Sequence, residues 1–277
     1  MSSKKQAAFK TVKGTLQVKR KEYITPHYIR IILGGKNAYL FENTTPGVNN
    51  KIFIPPVGVK EIHFPDFDYE KMSWIHPPEN VRPFIRTYTH RGFDPVKKEM
   101  WIDFVAHGDE GPASAWAIQA KTGDLLGVAM HEGPTELYQP ANWYLLAGDA
   151  TAIPVIAAIL EDLPAAATGI CVIEVHGPAD EQALVTKANI KVVYLHNENP
   201  KAGSLLPDYV KTVDMQQELR FGYIAAEFSA VKAIRNYLRK EAGWGRDEFY
   251  AYSYWKNGAT EESSQEERRK EFTEDQH

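Results

Sequence analysis

The chain has 277 residues, enough for two ordinary domains, and its 43% apolar and 12% aromatic content fills cores and excludes a disordered polymer. Lys and Arg number 32 against 36 Asp and Glu, a formal net charge of −4 that lacks the basic footprint of non-specific nucleic-acid binding. One cysteine, Cys171 in the apolar run 169–173, excludes an intrachain disulfide, a cysteine-ligated iron–sulfur cluster and a dithiol pair; if the protein moves electrons, an organic cofactor must carry them.

The polar start, Met1-Ser-Ser-Lys-Lys-Gln, leads into no apolar segment of the signal-peptide kind. No run reaches the roughly 18 apolar residues of a membrane span. A cytoplasmic protein is expected.

Residues 15–19, 28–33, 51–55, 84–89 and 100–105 are short runs rich in β-branched and aromatic residues. Gly34-Gly35, Pro46-Gly47, Pro55-Pro56, Pro77-Pro78 and Asp94-Pro95 punctuate them. Strands at this spacing predict an antiparallel barrel or sandwich, with 57–82 as an ordered loop. The period then changes. Strands are predicted at 143–147, 170–175, 191–195, 221–226 and 249–255, with helices at 152–160, near 181–187, at 206–215 and after Ser229. In the last helix Ser229 is the expected cap, Val231, Ile234 and Leu238 share a face, and Gly243 is the stop. This alternation predicts a parallel sheet covered on both sides. The boundary falls in 133–141, giving domains 1–138 and 139–258. The tail 259–277 holds six glutamates, one aspartate and three basic residues; capping boxes at Ser263 and Ser264 allow a short helix.

Three segments carry chemistry. In Arg86-Thr87-Tyr88-Thr89-His90-Arg91, strand alternation puts Arg86 and Tyr88 on one face, a cation beside a flat ring. That pair can hold a phosphate and stack on a planar cofactor, although an ordinary strand with charged outward positions reads the same way. Thr89 points to the other face. Next, the strand 101–106 ends at His107-Gly108, and Gly111-Pro112-Ala113-Ser114-Ala115-Trp116-Ala117 opens a helix. Proline early in a helix after glycine is a start signal, and the free N–H groups there suit a pyrophosphate, with Ser114 as an added donor. Third, Gly148-Asp149-Ala150-Thr151-Ala152-Ile153-Pro154 joins the first strand of the second half to its helix. Open parallel sheets bind ligands at such turns, yet the dinucleotide fingerprint G-x-G-x-x-G is absent.

In this order the segments resemble the ferredoxin-reductase superfamily, and most closely the siderophore-interacting proteins, FAD-dependent ferric-siderophore reductases. Asp103-Phe-Val-Ala-His-Gly108, Glu227 with its following helix, and Tyr254-Trp-Lys-Asn-Gly258 extend the resemblance over about two-thirds of the chain. It implies an N-terminal antiparallel β-barrel that binds FAD and a C-terminal α/β domain that binds NAD(P)H. It places FAD along Arg86, Thr87, Tyr88, Thr89, Asp103, Val105, His107, Gly108, Ala113, Ser114 and Trp116. It places the nicotinamide nucleotide at Gly148, Asp149, Thr151, Ala152 and Glu227. Two positions depart from the pattern: Ala226 stands where glycine is usual, tightening nicotinamide access, and Leu195-His196-Asn197 lacks a common arginine. Without that cation NADH is at least as suitable a donor as NADPH.

The implied reaction takes a hydride from the nicotinamide to the flavin and delivers single electrons to Fe³⁺, releasing Fe²⁺ from its oxygen donors. No protein ligand for iron is required, and no metal site is expected: the nine histidines show no H-x-x-H spacing. Lys51 and Lys256 match positions where the family places cations, suited to an anionic ferric siderophore, and the acidic tail is a candidate cover for that mouth. Two alternatives stay open. One is a general flavin or ferredoxin-type reductase, with a ferredoxin-type protein as a possible electron donor; the other is a non-enzymatic siderophore- or flavin-binding module.

Overall fold

Apolar alternation in the first half closes a sheet on itself. The computed structural model describes residues 10–108, 111–216, 218–260, 263, 264, 266, 267 and 270. Its first compact unit comprises 29–135 and the stretch up to Tyr23; its second comprises 24–28 and the chain from Glu136. Strands β1 (Thr11–Thr25), β2 (Tyr28–Gly34), β3 (Asn49–Ile54), β6 (Phe84–Asp94), β7 (Glu99–Val105) and β8 (Leu125–His131) form a closed barrel in the order β1-β2-β7-β6-β3-β8. Closure removes both sheet edges and with them two rows of unpaired backbone groups. Leu16, Ile29, Ile31, Ile52, Met100, Ile102, Phe104, Leu126 and Val128 are all fully buried within this unit. The 57–82 segment carries a small antiparallel hairpin, β4 (Asp66–Asp68) with β5 (Ser73–Ile75). Helix α1 (Pro112–Gln119) lies between β7 and β8.

The closing strand β8 has no sequence signature of alternation. Leu125-Leu126-Gly127-Val128-Ala129-Met130 is a continuous apolar run, because the middle of β8 is buried on both faces: Leu126 and Val128 lie in the core, and Phe53, Ile62 and Phe64 close over Gly127. Such runs read equally as part of a helix.

The second unit is a parallel sheet in the order β11-β10-β9-β12-β13, from β9 (Trp143–Asp149), β10 (Thr168–Val175), β11 (Asn189–His196), β12 (Arg220–Glu227) and β13 (Phe249–Trp255). The chain builds outward from β9 to β11 and then returns to β9's other side. β9 and β12 therefore flank the topological switch point. On one face, α3 (Leu206–Lys211) and α4 (Phe228–Lys240) bury Leu206, Val210, Val231, Ile234 and Leu238 against Trp143, Leu145, Val172 and Ile224. On the other lies α2 (Ile153–Asp162), whose residues from Ile153 to Leu160 are all buried.

Three local expectations are corrected. Residues 181–187 form no helix: the Tyr194 hydroxyl donates to the Gln182 carbonyl at 2.5 Å and accepts from its N–H at 3.2 Å, and Val185 points to solvent. Seven residues with no buried face are too few to sustain a helix alone. The predicted helix 206–215 stops at Lys211. Helix α4 is capped by Glu227, whose carboxylate accepts from Ser229 and Ala230 N–H, rather than by Ser229. In the tail, residues 263, 264, 266, 267 and 270 are helical.

One buried cation ties the sheet to the segment after α4. Arg220 donates to Glu248 at 3.1 and 3.2 Å and to the carbonyls of Gln216 and Gly243, and its guanidinium lies 4.4 Å from the Trp244 ring. Arg220→Ala is expected to lower the stability of the protein by about 2 kcal/mol, read as a shifted urea midpoint, because it removes a buried guanidinium with its charge-assisted hydrogen bonds and its packing on Trp244. A shift below about 0.5 kcal/mol would count against this role.

Candidate functional site

The barrel face is built by strand register. Asn49, Asn50, Lys51 and Ile52 of β3 pair with Thr89, Tyr88, Thr87 and Arg86 of β6. Arg86, Tyr88 and His90 thus share one face with Asn50 and Ile52, while Thr87 and Thr89 share the other with Lys51. On the first face Tyr88 lies 4.5 Å from Phe104 of β7, and Phe104 lies 5.7 Å from Trp116 of α1. Arg86 stays partly exposed and donates to the Ile85 carbonyl at 2.7 Å. On the second face Lys51 Nζ donates to Thr87 Oγ1 at 2.5 Å, and Thr89 is buried.

The start of α1 supplies the second element. Gly111 is its N-cap with extended backbone (φ −130°, ψ 140°), Pro112 follows at the first helical position, and among the described residues no side chain caps the helix. A Cβ at Gly111 would sit 3.3 Å from the His107 ring, so glycine keeps the approach to this terminus open. Gly108 takes a left-handed φ of +84° that other residues rarely adopt. The Ser114 hydroxyl, expected to face a phosphate, donates instead to the Gly108 carbonyl at 2.8 Å and accepts from His107 N–H at 3.1 Å, folding the loop back on the helix. Ala113 is buried. Asp103, also expected along the cofactor, makes a bidentate pair with Arg30 at 2.7 and 2.8 Å. By strand alternation Val105 lies on the same face of β7 as Asp103. An aromatic ring beside a cation and an uncapped helix N-terminus fit a flat cofactor carrying a pyrophosphate.

At the carboxyl edge of the parallel sheet, Gly148, Asp149, Thr151, Ala152 and Glu227 come together as expected of one site, but most of their atoms are committed internally. A Cβ at Gly148 would meet Ala152 at 2.6 Å and the Ala225 carbonyl at 2.8 Å, so this glycine lets α2 pack on the sheet. Asp149 accepts four hydrogen bonds: Thr151 N–H at 2.9 Å, the Thr151 hydroxyl at 2.5 Å, Glu227 N–H at 2.9 Å and Trp255 Nε1 at 2.8 Å. It clamps the ends of β9, β12 and β13. Burial pushes its pKa up, against the lowering effect of Thr151 and Trp255. Glu227 caps α4 and accepts from Asn257 N–H at 3.1 Å. Lys256 Nζ lies 2.5 Å from Glu267 and 4.8 Å from the Phe228 ring, so a tail carboxylate pairs on the surface with the lysine expected to meet substrate.

Several participants escaped sequence reasoning. Arg30 was visible only as the lone charge in the apolar run 28–33. Trp255 and Asn257 lie inside the motif 254–258 without a spacing that assigns them roles. Asn50 and His90 flank Tyr88 and are buried, with no hydrogen-bond partner for their side-chain nitrogen and oxygen atoms among the described residues.

Residues 17–135 match the siderophore-interacting FAD-binding domain family and residues 141–258 the siderophore-interacting protein family. A ferric vibriobactin reductase of Vibrio cholerae is 34% identical over 251 residues, 90% of this chain and 91% of its own. The chain belongs to the siderophore-interacting proteins. Its barrel is an FAD-binding domain, and the protein is a flavin-dependent oxidoreductase. The siderophore-interacting protein SipS from Aeromonas hydrophila superposes with a TM-score of 0.77 at 29% identity, covering 94% of this chain and 98% of that one. A siderophore utilization protein from T. fusca gives 0.80 at 28%, covering 90% and 95%. A ferredoxin NADP+ reductase from Neisseria gonorrhoeae shares the two-domain fold at 13% identity, with a TM-score of 0.60 and coverage of 87% and 98%. Among the described residues no helix is long and apolar enough to cross a membrane.

Two outcomes follow for this siderophore-interacting protein. Asp103→Ala leaves Arg30 without its carboxylate and is expected to destabilise the barrel by about 3 kcal/mol in urea melts. Burial first, then Arg91, lowers the His90 pKa from 6.5 to about 4. The folded state thus binds fewer protons than the unfolded one, so this contribution is complete above pH 6.5 and is lost as pH falls toward 4. His90→Phe is expected to flatten that acid limb of the stability profile; an unchanged limb would exclude His90 as its source.

Proposed function

We propose that this protein reduces siderophore-bound Fe³⁺ in the cytoplasm, with FAD held on the barrel and a nicotinamide dinucleotide as electron donor. The observation that carries the reading is the aromatic row Tyr88–Phe104–Trp116 beside Arg86 and the uncapped start of α1, within an FAD-binding domain. The 34% identity to a ferric vibriobactin reductase supports the substrate class. When bound, FAD supplies the conversion of a two-electron hydride donor into one-electron steps.

The chain's own residues position and select. Tyr88 offers a ring face for the isoalloxazine, and Arg86 a cation for the pyrophosphate beside the first turn of α1. His107 and Gly108 shape the loop leading to that turn, and Trp116 closes the aromatic row. Lys51 and Lys256 are the proposed cations for an anionic ferric siderophore. At the carboxyl edge of the sheet, Asp149 and Glu227 fix the strand ends and Asp149 holds the Thr151 N–H and hydroxyl, leaving the surrounding backbone to meet the nicotinamide nucleotide. NADH is the proposed donor: the end of β11 presents His196, bonded to Glu181 at 2.8 Å, followed by Asn197 and Glu198. Carboxylates there suit a ribose hydroxyl and repel a 2′-phosphate. A ferredoxin-type protein donor is the second reading, supported by the absent G-x-G-x-x-G and by the internal commitment of Asp149.

An anaerobic titration of the FAD-loaded protein tests the reading. NADH is expected to bleach the flavin band faster than NADPH, and a ferric siderophore to restore it with release of Fe²⁺ to a ferrous chelator. A band that neither nucleotide bleaches, but that a reduced ferredoxin does, favours the second donor; failure of a ferric chelate to restore it overturns the substrate. Lys51→Ala with Lys256→Ala is expected to raise KM for anionic ferric substrates about tenfold with KM for NADH unchanged; equal KM values would remove both lysines from the substrate site.

A further inference from the structure

On the barrel face that carries Tyr88, two polar side chains are buried with no partner among the described residues. Asn50 stands opposite Tyr88 across the β3–β6 ladder, and His90 is the next residue along β6 on the same face. Such diagonal neighbours sit about 7–8 Å apart at the backbone, a span that two polar side chains and one bridging molecule can close. His90 is fully buried and Asn50 is 3% exposed. Neither His90 ring nitrogen, nor Asn50 Oδ1 or Nδ2, has a hydrogen-bond partner among the described residues. The His90 backbone is satisfied, donating to Val48 O at 2.8 Å and accepting from Gly47 N–H at 2.6 Å, so the requirement lies in the ring alone. Around them the wall is apolar: Ile102 faces His90 on β7, Ile52 lies next to Asn50 on β3, and Phe104 packs on Tyr88. Buried polar groups in folded proteins are almost always paired with protein or with ordered water.

We propose that Asn50 and His90 form an internal polar site behind Tyr88 that holds ordered water, making His90 a positioning residue for the flavin-facing ring. A neutral imidazole brings one donor and one acceptor that point away from each other, and the carboxamide brings two N–H donors and an acceptor oxygen. A water molecule donates two hydrogens and accepts two, so one water bridges a ring nitrogen of His90 to the Asn50 carboxamide, and the other ring nitrogen calls for a second. The site fixes the spacing of β3 and β6 beneath Tyr88 and holds its ring against Phe104. This role rests on the FAD reading of the barrel face, but the site itself is tested without cofactor.

The experiment is a double-mutant cycle on the full chain with Asn50→Val, His90→Phe and both together, read by urea unfolding without FAD and by FAD affinity. Each single change strands one polar group, whereas the double change leaves an apolar wall, so the double variant is expected to be more stable than the worse single. FAD affinity is expected to fall about tenfold in each single variant and to recover in part in the double. His90→Gln, which keeps a donor and an acceptor, is expected to retain FAD affinity within about threefold where His90→Phe loses it. Additive effects in unfolding, or a His90 ring that titrates near 6.5 by NMR in the unmodified protein, overturn the site. Coupling in unfolding with no change in FAD affinity overturns the positioning role alone. Failure of the unmodified protein to bind FAD contradicts the cofactor reading and leaves the unfolding cycle as a separate test.

Discussion

The register of β3 on β6 is the constraint from which the flavin side of this protein follows. With Asn50 opposite Tyr88, the period of two sends Arg86, Tyr88 and His90 to one face and Thr87 and Thr89 to the other. A slip of one residue in β6 would turn Tyr88 away from Phe104, and a slip of one in β3 would bring Lys51 to the face that now holds Asn50. Barrel closure protects this register, because β3 is paired on both sides, by β6 and β8. The start of α1, which no described side chain caps, supplies the second half of the proposed FAD site. Its openness depends on small features: glycine at 111, a left-handed Gly108, and a serine hydroxyl that folds the loop back on the helix.

The sheet edge of the second unit obeys a different logic. There the carboxylates expected to border a nucleotide serve the protein first. Asp149 ties three strand ends through four hydrogen bonds, and Glu227 caps α4 while holding the turn after β13. Glu174, at the end of β10, is likewise held by Asn197, Ser204 and Leu205 N–H. An edge built this way is rigid and acidic. Any nucleotide there meets a preformed surface with little spare hydrogen-bonding capacity in its carboxylates.

Much of the architecture was legible in the sequence because it rests on periodicity. The change from alternation to helix-and-strand, the helix opening at Pro112 and the apolar face of α4 were all visible as patterns. What escaped depended on long-range partners. Strand β8 is buried from both sides and loses the alternation that marks a strand. Residues 181–187 have helical composition, but Tyr194, twelve residues on, takes their backbone. Arg30 and Asp103 are 73 residues apart and meet only because β2 and β7 are neighbours in the barrel. Site residues were assigned to their segments through family resemblance rather than spacing. The roles of Ser114 and Asp103 were less legible, since which hydroxyl or carboxylate binds the protein itself cannot be read from spacing.

The central claim is that one barrel face, with the start of α1, holds FAD. A crystal structure of the FAD-loaded protein tests it most directly. The account predicts the isoalloxazine against Tyr88 and the pyrophosphate within hydrogen-bond reach of the first turn of α1 and of Arg86. FAD bound at the carboxyl edge of the parallel sheet, or a pyrophosphate remote from both Arg86 and α1, would contradict it.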